Sequence, residues 1–279
     1  MADEPPVSNR ADRSVTRKER DFVGSLERGL QVLSVFDRHN PEMTLSDVAR
    51  RTGLTPATTR RFLLTLQSLG YVGTNGRRFL LRPKVLELGH AFLDSMNVDE
   101  LLQPHLRELA ALTGDSSSVT VLEGTEIVYI ANASARRLVR LSAGPGSRFP
   151  AFATSTGRVL LANKDPEQLR KFFENPQFQK ITEFTETRPD KLAQILEQVR
   201  QQDYSAVQDE LEVGIVSVAV PLRDSAGRVI AAMNCSCVTR RTTAKEMVKT
   251  RLDLLRQYAA KVAEAIHRSP ALAHSVTSR

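Results

Sequence analysis

Seven arginines and one lysine fall between residues 48 and 86 with no Asp or Glu among them: Arg50, Arg51, Arg60, Arg61, Arg77, Arg78, Arg82 and Lys84. Guanidinium groups at this density suit two kinds of chemistry. They hold phosphate oxygens and release condensed counterions, or they read a guanine edge with paired hydrogen bonds. A solvated surface mixes both signs of charge, so a one-signed window this long points to a polyanion, here DNA. The plainer alternative is a set of ordinary helices with a solvated arginine face. The first 82 residues hold 14 basic and 9 acidic groups, a net +5, whereas the rest of the 279-residue chain adds only +2. The asymmetry places the polyanion-binding part at the N-terminal end.

A second set of residues has the chemistry of small-molecule binding. Read as a strand, 215–222 puts Ile215, Ser217 and Ala219 on one face and Val216, Val218 and Val220 on the other. In 228–238, Ala232, Asn234 and Ser236 oppose Ala231, Met233 and Cys235. One face is wholly apolar. The other is small, lightly polar and uncharged, which suits the floor of a ligand pocket. The run 147–162 is placed to close it. Thr154, Ser155 and Thr156 fall at a helix start, where free N–H groups and the helix dipole favour an anion. Arg148 and Arg158 are candidate carboxylate clamps. The alternative has the hydroxyls simply capping the helix and the arginines pairing with Asp209, Glu210 or Glu212.

Catalytic and metal constellations do not assemble. The five histidines (His39, His90, His105, His267, His274) are scattered. Cys235 and Cys237, one residue apart on a strand, have poor geometry for a disulfide and read as small core residues. The loop 144–147, Gly-Pro-Gly-Ser, lacks the Gly-Lys-Ser/Thr ending of a phosphate loop. Glu210 and Glu212 read as solvated turn residues. No catalytic residue, metal site or cofactor is expected. The N-terminus has no apolar signal segment and the apolar runs are too short to span a bilayer, so a soluble cytoplasmic protein without a membrane partner is expected.

The elements that must position these groups follow from spacing. Residues 1–20 read as a disordered tail. A helix from Ser25 has Leu26, Leu30, Leu33 and Phe36 on one stripe. Leu45, Val48 and Ala49 mark a second helix, ended near Gly53. Thr55 and Pro56 suit the N-cap and first turn of a third, with Phe62, Leu63, Leu66 and Leu69 inward. Residues 45–69 thus have the layout of a helix-turn-helix, whose exposed front is Thr55, Pro56, Ala57, Thr58, Arg60 and Arg61. Asn75-Gly76 makes a hairpin, a wing carrying Arg77 and Arg78. A helix over 83–97, with Val85, Leu86, Leu88, Ala91 and Phe92 inward, reads as a linker. Another, over 97–113, has Pro104 as a kink point. From Ser116 the period changes to two, with strands at 118–123, 126–133, 138–142, 215–222 and 228–238. Helices at 154–163, 167–175, 190–202 and 243–267 complete the pattern, with a frayed tail beyond 269.

With these residues assembled, the chain resembles the IclR family of bacterial transcriptional regulators. The likeness is carried by 25–33, 45–72, 146–162 and 208–234, and its last two runs look closest to the branch governing aromatic-acid breakdown through protocatechuate and the β-ketoadipate pathway. The resemblance implies an α+β protein: a winged helix-turn-helix over 21–82, a linker helix over 83–97, and an α/β effector-binding domain of GAF/profilin-like type over 98–268, followed by the tail 269–279. It implies a homodimer or dimer of dimers on palindromic double-stranded promoter DNA, with a small aromatic or dicarboxylic acid as effector. Its pocket positions fall on Leu138, Leu141 and Phe149 as an apolar wall, Ser155 and Thr156 at the helix start, and Ile215, Ser217, Asn234 and Ser236 on the strands. The chain departs from some relatives in having Val207 and Ser217 where they carry acidic or cysteine side chains, and Arg158 where lysine is common. Two rival functions are a small-molecule-converting enzyme with an appended basic module and a ligand-blind architectural DNA binder.

Overall fold

The computed structural model describes residues 22–37, 39–134, 143–174 and 178–277. The expected tail over 1–20, the strand over 138–142, and with it Leu138 and Leu141, lie outside these. The chain divides into two compact units, Met1–Leu88 and Gly89–Arg279.

In the first unit, helix α1 (Gly24–Ser34) is followed by the short strand β1 (Glu42–Met43), helix α2 (Leu45–Thr52), helix α3 (Pro56–Ser68), and strands β2 (Val72–Thr74) and β3 (Phe79–Leu81). Local chemistry sets the boundaries. Thr44 and Asp47 form a reciprocal capping box at the start of α2, and Gly53 ends it at φ 69°. Thr55 caps α3 through the Thr58 N–H, and Pro56 fills its first position. The three strands order as β1-β3-β2. Asn75 Oδ1 accepts the Arg78 N–H at 2.9 Å to close the wing turn.

The core here is Val32, Met43, Val48, Leu63, Leu66 and Val72, which corrects two expectations. Leu26 and Leu30 are 63% and 50% exposed. Of the expected stripe, Leu33 and, just beyond α1, Phe36 do pack on the core, joined by Val32 and by the bare Gly29 backbone facing the Phe62 ring. Leu69 is also exposed, and Thr59 is buried in α3, its hydroxyl donating to the Thr55 carbonyl.

Pro83–Val85 form a 3-10 turn and Leu86–Ser95 form α4, which carries the chain into the second unit. Leu86 and Leu88 point to solvent, contrary to the sequence pattern, while Phe92 and Leu93 pack inward. There is no single kinked helix beyond Asn97. Val98–Leu101 (α5) and Gln103–Thr113 (α6) are separate, and Pro104 sits in the first turn of α6.

The second unit is built on a six-stranded antiparallel sheet ordered β6-β5-β4-β9-β8-β7. Its strands are β4 (Ser116–Glu123), β5 (Glu126–Ser134), β6 (Arg148–Pro150), β7 (Ser205–Gln208), β8 (Ile215–Arg223) and β9 (Val229–Val238). The short strands β1, β6 and β7 carry too little alternation to show in the sequence. The apolar face, with Val216, Val218, Val220, Ala231, Met233 and Cys235, packs against α6, α10 (Ala244–His267) and α11 (Pro270–Thr277). Residues 270–277 are therefore helical rather than frayed, and the Leu272 side chain is fully buried. The opposite face carries α7 (Ser155–Ala162) and α9 (Pro189–Gln202) over Ile127, Tyr129, Ala219 and Ala232. Helix α8 (Pro166–Glu174) lies between these two in sequence.

One buried carboxylate ties the apolar side together. Asp115, 1% exposed in its side chain, receives Arg241 and Arg251, each at 2.9 Å. Arg241 also donates to the carbonyls of Thr113 and Gly114 at the end of α6. Burial, and then the Asp115 carboxylate, push the nearby Cys237 thiol up to about 11. Asp115→Ala leaves two cations without a counter-charge. Since both arginines retain some solvent, the expected loss is about 2 kcal/mol rather than the larger cost of a fully buried pair. A lowered urea midpoint with an unchanged slope will register it.

Candidate functional site

The front of α3 presents Thr55, Pro56, Ala57, Arg60 and Arg61 to solvent, with Thr58 half-buried. Arg60, Arg61, Arg77 and Arg82 make no ion pair or side-chain hydrogen bond among the described residues. The other cations of the window are less free. Arg50 pairs with Asp47 at 2.7 Å, Arg51 with Asp37 at 3.2 Å, and Arg78 with Glu42 at 3.9 Å. Lys84 donates to the Leu69 carbonyl. The window is one-signed in sequence but not in space, because three acids from outside it fold back. The Asn40 amide, with the His39 and Asn40 N–H groups and Arg51, holds the Asp37 carboxyl down to about 2. What remains uncompensated lies at the front of α3, at the wing tip and, with Arg82, just after β3.

A cavity of about 480 Å³ opens in the second unit, within the range of small-molecule sites. Its floor is set by strand register. Ser134, Ser116, Ser236 and Ser217 stand side by side across β5, β4, β9 and β8, and Asn132, Ser118 and Asn234 form the next row. Adjacent strands are about 4.8 Å apart, so the hydroxyls and amides make a regular lattice. The Asn132 amide donates to the Ser118 hydroxyl at 2.8 Å. Asn234 is 5% exposed, and its Oδ1 has no partner among the described residues. Leaving such an acceptor buried and unmet costs about 1–3 kcal/mol, which a ligand donor recovers.

The start of α7 covers this floor. The Ser155 and Ser217 hydroxyls share a 2.7 Å hydrogen bond. Thr154 accepts the Gly157 N–H, and the N–H groups of Ser155 and Thr156 have no backbone acceptor among the described residues, as an anion site requires. Gly157 has no room for a side chain, since an added Cβ would stand 2.2 Å from the Ala151 carbonyl oxygen.

Ser155, Thr156, Ile215, Ser217, Asn234 and Ser236 all line the cavity. Arg148 and Phe149 do not. Arg148 lies on the edge strand β6 and its guanidinium meets Glu126 of β5 at 2.8 Å, while Phe149 stacks edge-on against Tyr129 in the adjoining cluster. Arg158 is no free clamp either. It is 3% exposed, donates to the Phe152 carbonyl, and grips both oxygens of Glu210 at 2.8 and 2.7 Å. Glu210 and Glu212, expected as solvated turn residues, line the cavity instead.

Sequence reasoning also missed Ser116, Ser118, Asn132 and Tyr129 in the lining. The serine run 116–118 was the available signal, but only register shows which serines face inward. Burial pushes the Tyr129 phenol up to about 12, so it stays an O–H at neutral pH. Among the described residues no three His, Cys, Asp or Glu side chains gather as a metal site. No described helix is long and apolar enough to cross a membrane.

A helix-turn-helix with a wing, followed by a sheet domain holding a polar cavity, is the build of a transcriptional regulator. Residues 25–76 match the IclR helix-turn-helix domain, and residues 90–264 match the bacterial transcriptional regulator IclR C-terminal domain. The chain belongs to the IclR family of bacterial transcriptional regulators. It is 38% identical to the Pca regulon regulatory protein of Pseudomonas putida over 84% of this chain and 81% of that protein. A crystal structure from Rhodococcus sp. RHA1, described as a transcriptional regulator, shares 41% identity at a TM-score of 0.74, covering 88% of this chain and 99% of that one. A double mutant of the PobR inducer-binding domain from Acinetobacter, solved with 3-hydroxybenzoic acid, shares 33% identity at a TM-score of 0.56, covering 59% of this chain and 96% of that one.

Gly157→Ala tests the packing that holds the cavity roof. The added methyl meets backbone, so the expected cost is about 1–3 kcal/mol in chemical denaturation. Gly144→Ala, where a Cβ meets nothing within 4 Å, leaves the midpoint unchanged.

Proposed function

We propose that this regulator responds to a small organic acid bound in the second-unit cavity and reads promoter DNA with α3 and the wing. The single observation that carries the effector reading is the buried Asn234 amide oxygen, without a partner among the described residues, in the lining of a cavity that also holds a helix start. Such a site has one place for a carboxylate and several for hydrogen-bonding groups. A relative solved with 3-hydroxybenzoic acid supports an aromatic acid as the ligand.

On the DNA side, Arg60 and Arg61 are the base-reading candidates, with Thr55, Pro56, Ala57 and Thr58 at the front of the same helix and Arg77 and Arg78 at the wing as backbone or minor-groove contacts. The winged domain spans 21–82 and the effector domain 98–268. The protein works as a homodimer or dimer of dimers on a palindromic site, inside the cytoplasm where that DNA lies. The acid acts by binding DNA-competent and DNA-incompetent arrangements unequally. A ligand-blind binder would show no native-state stabilisation by any acid, and an enzyme would turn the acid over.

Two outcomes test this. Arg60→Ala or Arg61→Ala weakens binding to the cognate duplex by about 1–3 kcal/mol in fluorescence anisotropy, and relaxes preference at one base pair. Loss spread equally over all sequences would make the residue a phosphate contact. In a thermal-shift screen of aromatic and dicarboxylic acids, the active acid raises the melting temperature of the wild type and of Arg148→Ala but not of Asn234→Ala. Equal shifts in all three would remove the effector from this cavity.

A further inference from the structure

Most cations of the basic window already have a task. Lys84 lies over the Tyr71 ring and donates to the Leu69 carbonyl, which ties the end of α3 to the segment after β3. Arg50, Arg51 and Arg78 meet Asp47, Asp37 and Glu42. Arg60 and Arg61 belong to α3 and Arg77 to the wing tip. Arg82 is left over. It is exposed, it follows β3 rather than standing at the tip, and its guanidinium has no ion pair or hydrogen bond among the described residues.

The course of this side chain is defined. The Arg82 N–H donates to the Tyr71 carbonyl at 2.8 Å, so its backbone stands opposite Tyr71. The guanidinium lies instead over Gly73, where an added Cβ would stand 2.9 Å from Arg82 Nε and 3.5 Å from its Cγ. Gly73 is two residues nearer the Asn75-Gly76 turn, so the side chain leans about 7 Å along the strand toward the wing tip. Phe79 and Leu81 pack on the core, which leaves Arg78, Leu80 and Arg82 on the outer face of the wing. The acid on that face, Glu42, pairs across from Leu80 and is engaged by Arg78 and the Asn75 amide. Gly73 is buried in β2 with the Arg82 side chain across it, and its φ is not in the left-handed region. Backbone conformation therefore does not require a glycine there. Room for Arg82 does.

We propose that Arg82 is a contact to the DNA backbone, and that Gly73 is the positioning residue that lets it lie flat along the wing. This rests on the wing meeting DNA. A guanidinium whose donors are unmet by protein can hold phosphate oxygens with paired hydrogen bonds, and it stays charged at any working pH. With Arg77 at the turn and Arg82 behind it, the wing grips the sugar–phosphate chain along its length rather than at the tip alone. Such contacts fix the register of a protein on the duplex and carry no base information. Arg82 therefore contributes equally to every sequence, unlike Arg60 and Arg61 at the front of α3.

Fluorescence anisotropy of the full chain on a labelled mixed-sequence duplex of about 30 base pairs, from about 50 to 200 mM KCl, tests this. Arg82→Gln makes the fall of log affinity with log salt shallower by about 0.9 for each protomer bound, and weakens binding at the lower salts. Gly73→Ala keeps every charge but moves the guanidinium. It gives the same shallowing, while its DNA-free melting temperature stays at or above that of the wild type. A wild-type slope and affinity in Arg82→Gln overturns the contact. A shallower slope in Arg82→Gln with none in Gly73→Ala overturns the role of Gly73 alone. Wild-type binding that is absent or indifferent to salt overturns the wing reading itself. Loss in Arg60→Ala and Arg77→Gln beside an unchanged Arg82→Gln leaves that reading intact and overturns only this inference.

Discussion

The effector domain depends on one buried contact, the two-pronged ion pair between Arg158 and Glu210. Arg158 comes from α7, while Glu210 sits 52 residues further on, in the loop between β7 and β8. The guanidinium also holds the Phe152 carbonyl, and the carboxylate also holds the Glu186 N–H. One pair therefore fixes the roof helix, the 3-10 turn before it, the rim loop 209–214 and the segment 182–188. Its net contribution to stability is modest, because desolvating two charges offsets most of their attraction. Its contribution to position is large. Removing either partner strands a buried charge and frees the walls that shape the cavity, whereas a hydrophobic pair of similar volume would fill the space without fixing a direction.

The two units solve opposite electrostatic problems. In the first, acids from outside the basic window pair with Arg50, Arg51 and Arg78, which leaves excess positive charge at the front of α3 and the wing. Partial neutralisation sharpens the patch. In the second, a cation is withdrawn into the structure to hold Glu210, and the described lining presents hydroxyls, amides and one helix start. The first unit binds a repeated anion.

Local chemistry was legible in the sequence. Thr55 before Pro56, Gly53 after α2, Asn75-Gly76 at the wing and the alternation in β8 and β9 each state a backbone requirement within a few residues, and the structure places elements there. Partner choice was legible only as a set of alternatives. Arg148 and Arg158 read either as carboxylate clamps or as partners of Asp209, Glu210 or Glu212; Arg158 does take Glu210, while Arg148 meets Glu126 on the neighbouring strand. The serine row exists only once four strands are in register. On α1 and α4 the leucine-rich stripe predicts the buried face, but only part of it (Leu33, Phe36 and Phe92) packs inward, Gly29 and Val32 complete the first contact, and Leu26, Leu30, Leu86 and Leu88 stay exposed. The last helix is hard to read because, among its described side chains, Leu272 alone is fully buried, in a segment otherwise composed like a tail.

Hydrogen–deuterium exchange on the full chain, with and without a saturating concentration of the acid that raises its melting temperature, tests the central claim most directly. Protection is predicted at 116–118, 132–134, 153–156, 208–217 and 234–236, the segments that wall the cavity. Unchanged exchange in all five, with protection appearing elsewhere in the second unit, would contradict it.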